Sequence, residues 1–268
     1  MIPRRFVVAA EELPLVRRLA IWLANRRFRA WQRKNPGAGF GDFYAASISG
    51  KLARGRHHPT LGTRGWEGEG GEAATDWDKA SFAARAVDKW ERVRDLGLRP
   101  DMRCVDYGCG SLRLGQHAIR YLGADRYFGL DITDQFFKLG LGLLDPELVQ
   151  EKRPRLAVIG PEALAEVRVW KPDFLFSFAV LQHVPPDELG TYFRNIGTVI
   201  YEGTAAHIIF VCGERTEQRG AMTWWYPPEQ LAMAAEESIP GVITAFEPFN
   251  AAEDDRRGRG RMLMRLRR

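Results

Sequence analysis

The sequence predicts an α/β fold, a mostly parallel sheet with helices on both of its faces. Three observations predict it. From about residue 100 to residue 240, short apolar runs alternate with longer amphipathic ones, the pattern of strands and crossover helices in a parallel sheet. Two of the short runs end in acids, Asp106 and Asp131. A glycine-rich turn at Gly108 and Gly110 and a helix-like stretch join them, as in a nucleoside-binding strand–turn–helix–strand unit. Finally, residues 242–249 and 261–266 are strand-like and separated by a polar loop, so the chain closes on a hairpin.

In chain order, residues 11–34 read as one amphipathic helix. Leu15, Val16, Leu19, Leu23 and Trp31 recur at helical spacing, with Trp22 and Phe28 beside them. Arg17, Arg18, Arg26, Arg27, Arg29, Arg33 and Lys34 fill the other positions, and Asn35-Pro-Gly-Ala-Gly39 stops the helix. Two main readings compete: the apolar stripe packs on the rest of the chain with the charges in water, or it lies in the interface of an anionic membrane; nucleic-acid binding is the remaining one. Residues 36–75 are glycine-rich and read as a long irregular segment, in which His57 and His58 have no further ligand at metal spacing. A helix over 78–96 turns Phe82, Val87, Trp90, Val93 and Leu96 inward. Strands then fall near 103–107, 126–131, 155–159, 173–178 and 206–212, and helices near 112–122, 134–144, 161–167, 187–200 and 228–236. In the last segment Arg261, Arg265 and Arg267 alternate with Met262, Met264 and Leu266, which reads as a strand at the sheet edge rather than a nucleic-acid arm.

The turn separates two ligand classes. A dinucleotide site wants Gly-x-Gly-x-x-Gly, so that pyrophosphate sits on the helix N-terminus. Counted from Gly108, the third glycine falls on Arg113, which disfavours an NAD-linked oxidoreductase. Residues 102–115, Met-Arg-Cys-Val-Asp-Tyr-Gly-Cys-Gly-Ser-Leu-Arg-Leu-Gly, instead resemble the first motif of class I S-adenosylmethionine (SAM)-dependent methyltransferases. Asp106, Gly108, Cys109 and Gly110 match it position for position, and Leu112 replaces its third glycine. Residues 172–189 resemble the family's fourth strand and following loop, and Trp224-Trp-Tyr-Pro-Pro-Glu-Gln-Leu231 resembles the start of its next helix. The likeness spans about residues 78 to 268 and divides the chain into an N-terminal extension, 1–75, and a methyltransferase domain, 76–268.

The resemblance implies a Rossmann-like, seven-stranded, mostly parallel sheet with an antiparallel C-terminal strand. It implies SAM as cofactor and S-adenosylhomocysteine (SAH) as product. Asp106, Gly108, Cys109 and Gly110 would then lie at the amino-acid end of the cofactor, Asp131 on the ribose and Ile132 against the adenine. Ile159 and Gly160 would stand near the adenine edge, where the family often has an acid and this chain reads Val158-Ile-Gly-Pro-Glu162. Phe178 and Ala179 would line the methyl-transfer site. His183, a few residues further, is the candidate base, since its ordinary pKa suits proton abstraction at neutral pH. Extensions before such domains commonly roof the site, so Phe40-Gly-Asp-Phe-Tyr44 is expected over the substrate, with Tyr44, Glu214, Trp224, Trp225 and Tyr226 as substrate contacts. Asp131, Trp224, Trp225, Tyr226 and His183 each also have a plain structural reading: a helix cap, core packing or a loop-shaping residue.

Composition narrows the partners. Residues 1–75 carry 13 Lys and Arg against 6 Asp and Glu, residues 256–268 carry seven Arg and no acid, and the middle is left at −9. Basic ends on an acidic body argue for local anion binding and against a diffuse nucleic-acid surface. Ser177-Phe-Ala-Val180 stands where amino-group nucleic-acid methyltransferases carry Asn-Pro-Pro-Tyr. No apolar run approaches the ~20 residues of a membrane span. Three cysteines without metal spacing suit a reducing, cytoplasmic setting without disulfides, with contact at the inner membrane face through residues 11–34 as the alternative. The expectation is therefore a metal-free O- or N-methyltransferase acting on a small molecule or glycan. The competing reading is a binding or scaffold protein with a degenerate cofactor turn.

Overall fold

The structure, a computed structural model, describes residues 14–52, 82–84, 86–250 and 260–268. The described elements begin with α1 (Pro14–Gln32), α2 (Phe40–Leu52) and α3 (Val87–Arg94). Then β1 (Cys104–Tyr107), α4 (Gly115–Tyr121), β2 (Tyr127–Asp131), α5 (Asp134–Gly142), α6 (Pro146–Lys152), β3 (Arg155–Val158), α7 (Pro161–Trp170) and β4 (Phe174–Phe178) alternate. After two short 3-10 turns come α8 (Leu189–Val199), β5 (Ala205–Val211), a two-stranded ribbon of β6 (Glu217–Gly220) and β7 (Thr223–Trp225), α9 (Pro228–Ser238), β8 (Ile243–Asn250) and β9 (Arg261–Arg267).

The main sheet has the order β3-β2-β1-β4-β5-β9-β8, with β1 to β5 parallel and β9 antiparallel to both β5 and β8. The expected seven-stranded sheet with an inserted antiparallel strand is thus present. Strand pleating feeds two cores. Val105, Phe128, Leu130, Leu175, Ile208 and Met264 pack with α7, α8 and α9 on one face. Cys104, Tyr127, Phe174, Phe176, Ile209 and Leu263 pack with α3 and α4 on the other. Because both faces are covered, the central strands read as apolar runs rather than alternating ones.

Four expectations need correction. Within 36–75, Phe40–Leu52 is a helix and not irregular chain. Its own sequence, with Gly41, two serines and Ile48, carries little helix propensity. It is held from outside, by burial of Phe40, Phe43 and Ile48 and by a distant carboxylate at its N-terminus. The helix expected over 78–96 is interrupted within its described part: Ala86 takes φ 60° and α3 begins at Val87, which is 42% exposed and so not on the inner stripe. β9 is an internal strand, not an edge. Leu263 is buried on the face between Arg261 and Arg265, and Arg265 reaches Glu247 on β8. On α1, the leucines of the predicted inward stripe face out: Leu15 is 78% and Leu19 57% exposed, while Trp31 of that stripe does pack inward, together with Phe28. Helical spacing of apolar residues finds a stripe, but here two stripes compete and α2 binds the aromatic one. His57 and His58 lie outside the described residues. Among the described residues, no helix is long and apolar enough to cross a membrane.

One core residue has a pH consequence. His207 on β5 is buried against Phe174, ring centroids 4.8 Å apart, and among the described residues neither ring nitrogen has a hydrogen-bond partner. Burial, with Arg265 and Arg267 adding to it, pushes its pKa down from the ordinary 6.5 to about 4. The neutral ring is the native form, so its contribution is intact above about pH 6.5 and is lost as pH falls towards 4. From those two values the wild type should lose about 2 kcal/mol more stability than His207→Phe between pH 7 and pH 5. Denaturant melts of both proteins at the two pH values check this. Equal losses would refute it.

Candidate active site

The site lies at the C-terminal ends of the parallel strands, where ligands bind in open α/β sheets. After β1 the backbone turns through Gly108 (φ 86°) and Gly110 (φ 54°), a left-handed geometry open to glycine. A Cβ on Gly108 would collide with the Val180 side chain, so this turn also lies tight against the loop after β4. Leu112 keeps the left-handed backbone that the replaced glycine would give, at φ 58°, with its side chain fully buried among Cys109, Leu114 and Phe137. Such a conformation costs a non-glycine residue about 1–2 kcal/mol. Burying a leucine returns about as much. The departure at Leu112 therefore leaves the path of the turn in place.

Asp131, at the end of β2, ties the turn to the strand. One carboxylate oxygen accepts the Gly110 N–H at 2.8 Å, and the other takes the Thr133 N–H at 3.4 Å. Helix capping is not its role. Thr133 is the N-cap of α5 and accepts the Gln135 N–H through its own hydroxyl. Burial pushes the Asp131 pKa up to about 6, against the pull of those backbone N–H groups. Such an acid gains from further donors. Ile132 beside it is 38% exposed, and the Ile159 N–H bonds the Asp131 carbonyl, bringing Gly160 to the same edge. A nucleoside fits this set: a carboxylate for paired ribose hydroxyls, an exposed aliphatic side chain for a base, and glycines under the turn.

Asp106 lies beneath the turn. It accepts the Tyr127 hydroxyl at 2.8 Å, and that hydroxyl occupies the space a Cβ on Gly115 would need. Burial, with the charge of Asp131 adding to it, pushes its pKa up to about 7. Burial also pushes the Cys109 thiol well up, so the cysteine packs and does not react. From the opposite side Gly140 on α5 rests on the Ser111 carbonyl, where a Cβ would collide.

Past β4, Phe178 is buried against Phe249, and Ala179 takes φ 59° with its N–H on the Ile209 carbonyl. His183 follows on a 3-10 turn. Its Nδ1 lies 2.8 Å from the Met222 carbonyl, which can only accept, so Nδ1 carries the proton. Nε2 is then the lone-pair nitrogen, facing the Gln182 side-chain amide at 3.2 Å. Burial pushes the His183 pKa down, so the ring stays neutral.

α2 roofs this region. The Tyr44 ring lies 5.3 Å from the His183 ring, and burial, with the Asp131 charge adding to it, pushes its phenol well above the ordinary value. Ile48 and Phe136 of α5 pack beside it. Glu188 caps α2 from across the chain by accepting the Phe40 and Gly41 N–H groups, the second at 3.1 Å. Gly39 leaves room for that carboxylate.

Of the expected substrate residues, Tyr44 lies against His183 and feels the charge of Asp131. Trp224 is buried edge-on to Phe40, and Tyr226 is buried with its hydroxyl donated to the Val184 carbonyl at 2.6 Å. Trp225 is half-buried beneath the Arg219 guanidinium, and Glu214 is exposed just past β5. Gln182, Met222, Tyr127, Gly140 and Glu188 also shape the site. Only Gln182 carried a sequence signal, its place beside His183.

No protein-family model and no curated protein sequence matches this chain. Solved structures do. It aligns with geranyl diphosphate C-methyltransferase from Streptomyces coelicolor A3(2) at a TM-score of 0.57, with 15% identity over 87% of this chain and 99% of that one. With magnesium protoporphyrin IX methyltransferase from Synechocystis PCC 6803, which was solved with bound SAM, the TM-score is 0.55, with 14% identity over 87% and 99%. With Haemonchus contortus phosphoethanolamine N-methyltransferase 2 it is 0.52, with 14% identity over 68% and 53%. At these identities the likeness is one of fold.

Proposed function

We propose that this chain, which has the fold of the class I SAM-dependent methyltransferases, is a metal-free methyltransferase acting on a hydroxyl or amine of a small molecule or glycan. The observation that carries the reading is Asp131: a buried carboxylate at the end of β2 that holds the glycine turn through the Gly110 N–H, beside the exposed side chain of Ile132. Gly108, Cys109 and Gly110 would cradle the amino-acid end of SAM, with Asp106 holding the turn from below through Tyr127. Asp131 would take the ribose, Ile132 the adenine face, and Ile159 and Gly160 its edge. When bound, SAM supplies an electrophilic methyl group on a sulfonium that is its own leaving group.

The chain's own contribution is placement and a proton acceptor. Phe178 and Ala179 line the end of β4 where the acceptor must approach. His183 offers Nε2 as a base, and the Met222 carbonyl fixes its tautomer, the orienting contact a base needs. Tyr44 and α2 exclude water over Asp131 and His183, while Trp225 and Glu214 stand at the rim, with Trp224 and Tyr226 supporting them from the core. His183→Asn keeps an amide N–H where Nδ1 donates and removes Nε2. We expect kcat to fall about 10²- to 10⁴-fold with SAH affinity unchanged. An unchanged kcat, measured on an acceptor found by screening for SAH release, would leave His183 a structural role. Val180, pressed on Gly108, favours the second reading, a scaffold with a closed cofactor turn. SAH titration decides between them.

A further inference from the structure

We propose that the outer face of α1 docks the protein onto an anionic lipid surface. Among the described residues, α1 is attached by one side only. Asn25 and Gln218 exchange side-chain amide hydrogen bonds at 3.0 and 3.2 Å, and Phe28 and Trp31 pack on Phe40 and Phe43 of α2. The opposite side carries a strip at helical spacing that divides along its length. Leu15, Leu19 and Trp22 open it, 78%, 57% and 55% exposed, and Leu23 flanks them at 40%. Arg26, Arg29 and Arg33 continue it, all exposed, with Arg18 and Arg27 alongside. The Arg26 guanidinium stacks over Trp22, 5.5 Å from the ring centroid.

The helix contains five arginines and no acid. The charge specifies the occupant. A purely apolar partner would leave the guanidinium groups desolvated, and a soluble polyanion would leave two turns of leucine and tryptophan in water. An interface of acyl chains beneath anionic headgroups satisfies both halves, and each arginine near such a surface favours binding roughly fivefold. The ribbon that holds α1 also supplies the Met222 carbonyl to His183, so docking would bring the candidate site near the lipid. The proposal stands apart from the methyltransferase reading, because its test involves no catalysis or cofactor.

The full chain is sedimented with vesicles of phosphatidylcholine alone, or of phosphatidylcholine with about a third phosphatidylglycerol, while Trp emission is recorded. We expect binding to the anionic vesicles with a blue shift, release by salt, and little binding to the neutral ones. The doubly substituted Leu19→Ser, Trp22→Ser protein should bind at least tenfold more weakly with an unchanged melt, and Arg26→Glu, Arg29→Glu should lose the preference for anionic lipid. Three results would each overturn the proposal. One is no binding to either vesicle. Another is a dimer that the serine variant converts to a monomer, since a second copy would then cover the face. The third is Trp22 already shielded from quencher without vesicles, since another segment of this chain would then cover it.

Discussion

Asp131→Ala should weaken SAH and SAM binding more than a hundredfold while the protein stays folded. A ribose pair on a carboxylate makes two charge-assisted hydrogen bonds, each worth about 1.5–3 kcal/mol, which together set that factor. The fold tolerates the change for an electrostatic reason. The raised pKa of Asp131 means that its ionised form is disfavoured by burial, and removing it relieves that cost as the Gly110 N–H loses its acceptor. Asp131→Asn keeps an oxygen for Gly110 and loses the charge, so it should fall between the two. The pH dependence follows in sign. Only the ionised carboxylate accepts from both hydroxyls, so wild-type affinity should hold above about pH 6 and fall up to tenfold per unit below it. Titrations at several pH values test this, and a wild type whose affinity is flat from pH 7 to 5 would remove Asp131 from the ribose.

Gly140→Ala should lower stability by about 2 kcal/mol and weaken SAH at least tenfold. In an isolated helix this substitution would stabilise by about 1 kcal/mol. The sign reverses because the new Cβ would collide with the carbonyl of Ser111, backbone that cannot rotate away. α5 must back off or the glycine turn after β1 must move, and Gly110, one residue before Ser111, would move with it. Denaturant melts and SAH titration of the variant measure both effects. A more stable variant with native affinity would show that α5 does not brace the turn.

The parts of the molecule most legible in the sequence are those whose physics is local. β1, its glycines and β2 form within thirty residues, and the acids at the strand ends follow from that unit alone. The parallel strands were readable because burial on both faces writes them as apolar runs. The site's supports were not readable, because they are long-range. Glu188 caps a helix almost 150 residues earlier. The Met222 carbonyl that fixes the His183 tautomer is backbone and leaves no side-chain signature. Gly140 looks like a helix defect until Ser111 is seen against it. α1 shows the limit of periodicity: Leu15, Leu19 and Trp22 lie on one face and Phe28 and Trp31 on another, and the packing of α2 decides which face is buried.

The central claim is that the turn after β1 and the acid after β2 bind SAM. Calorimetric titration of the purified full chain with SAH, repeated with SAM, tests it most directly. The account predicts micromolar binding of both at one site per chain, lost in Asp131→Ala. No heat and no thermal stabilisation at millimolar ligand would contradict it.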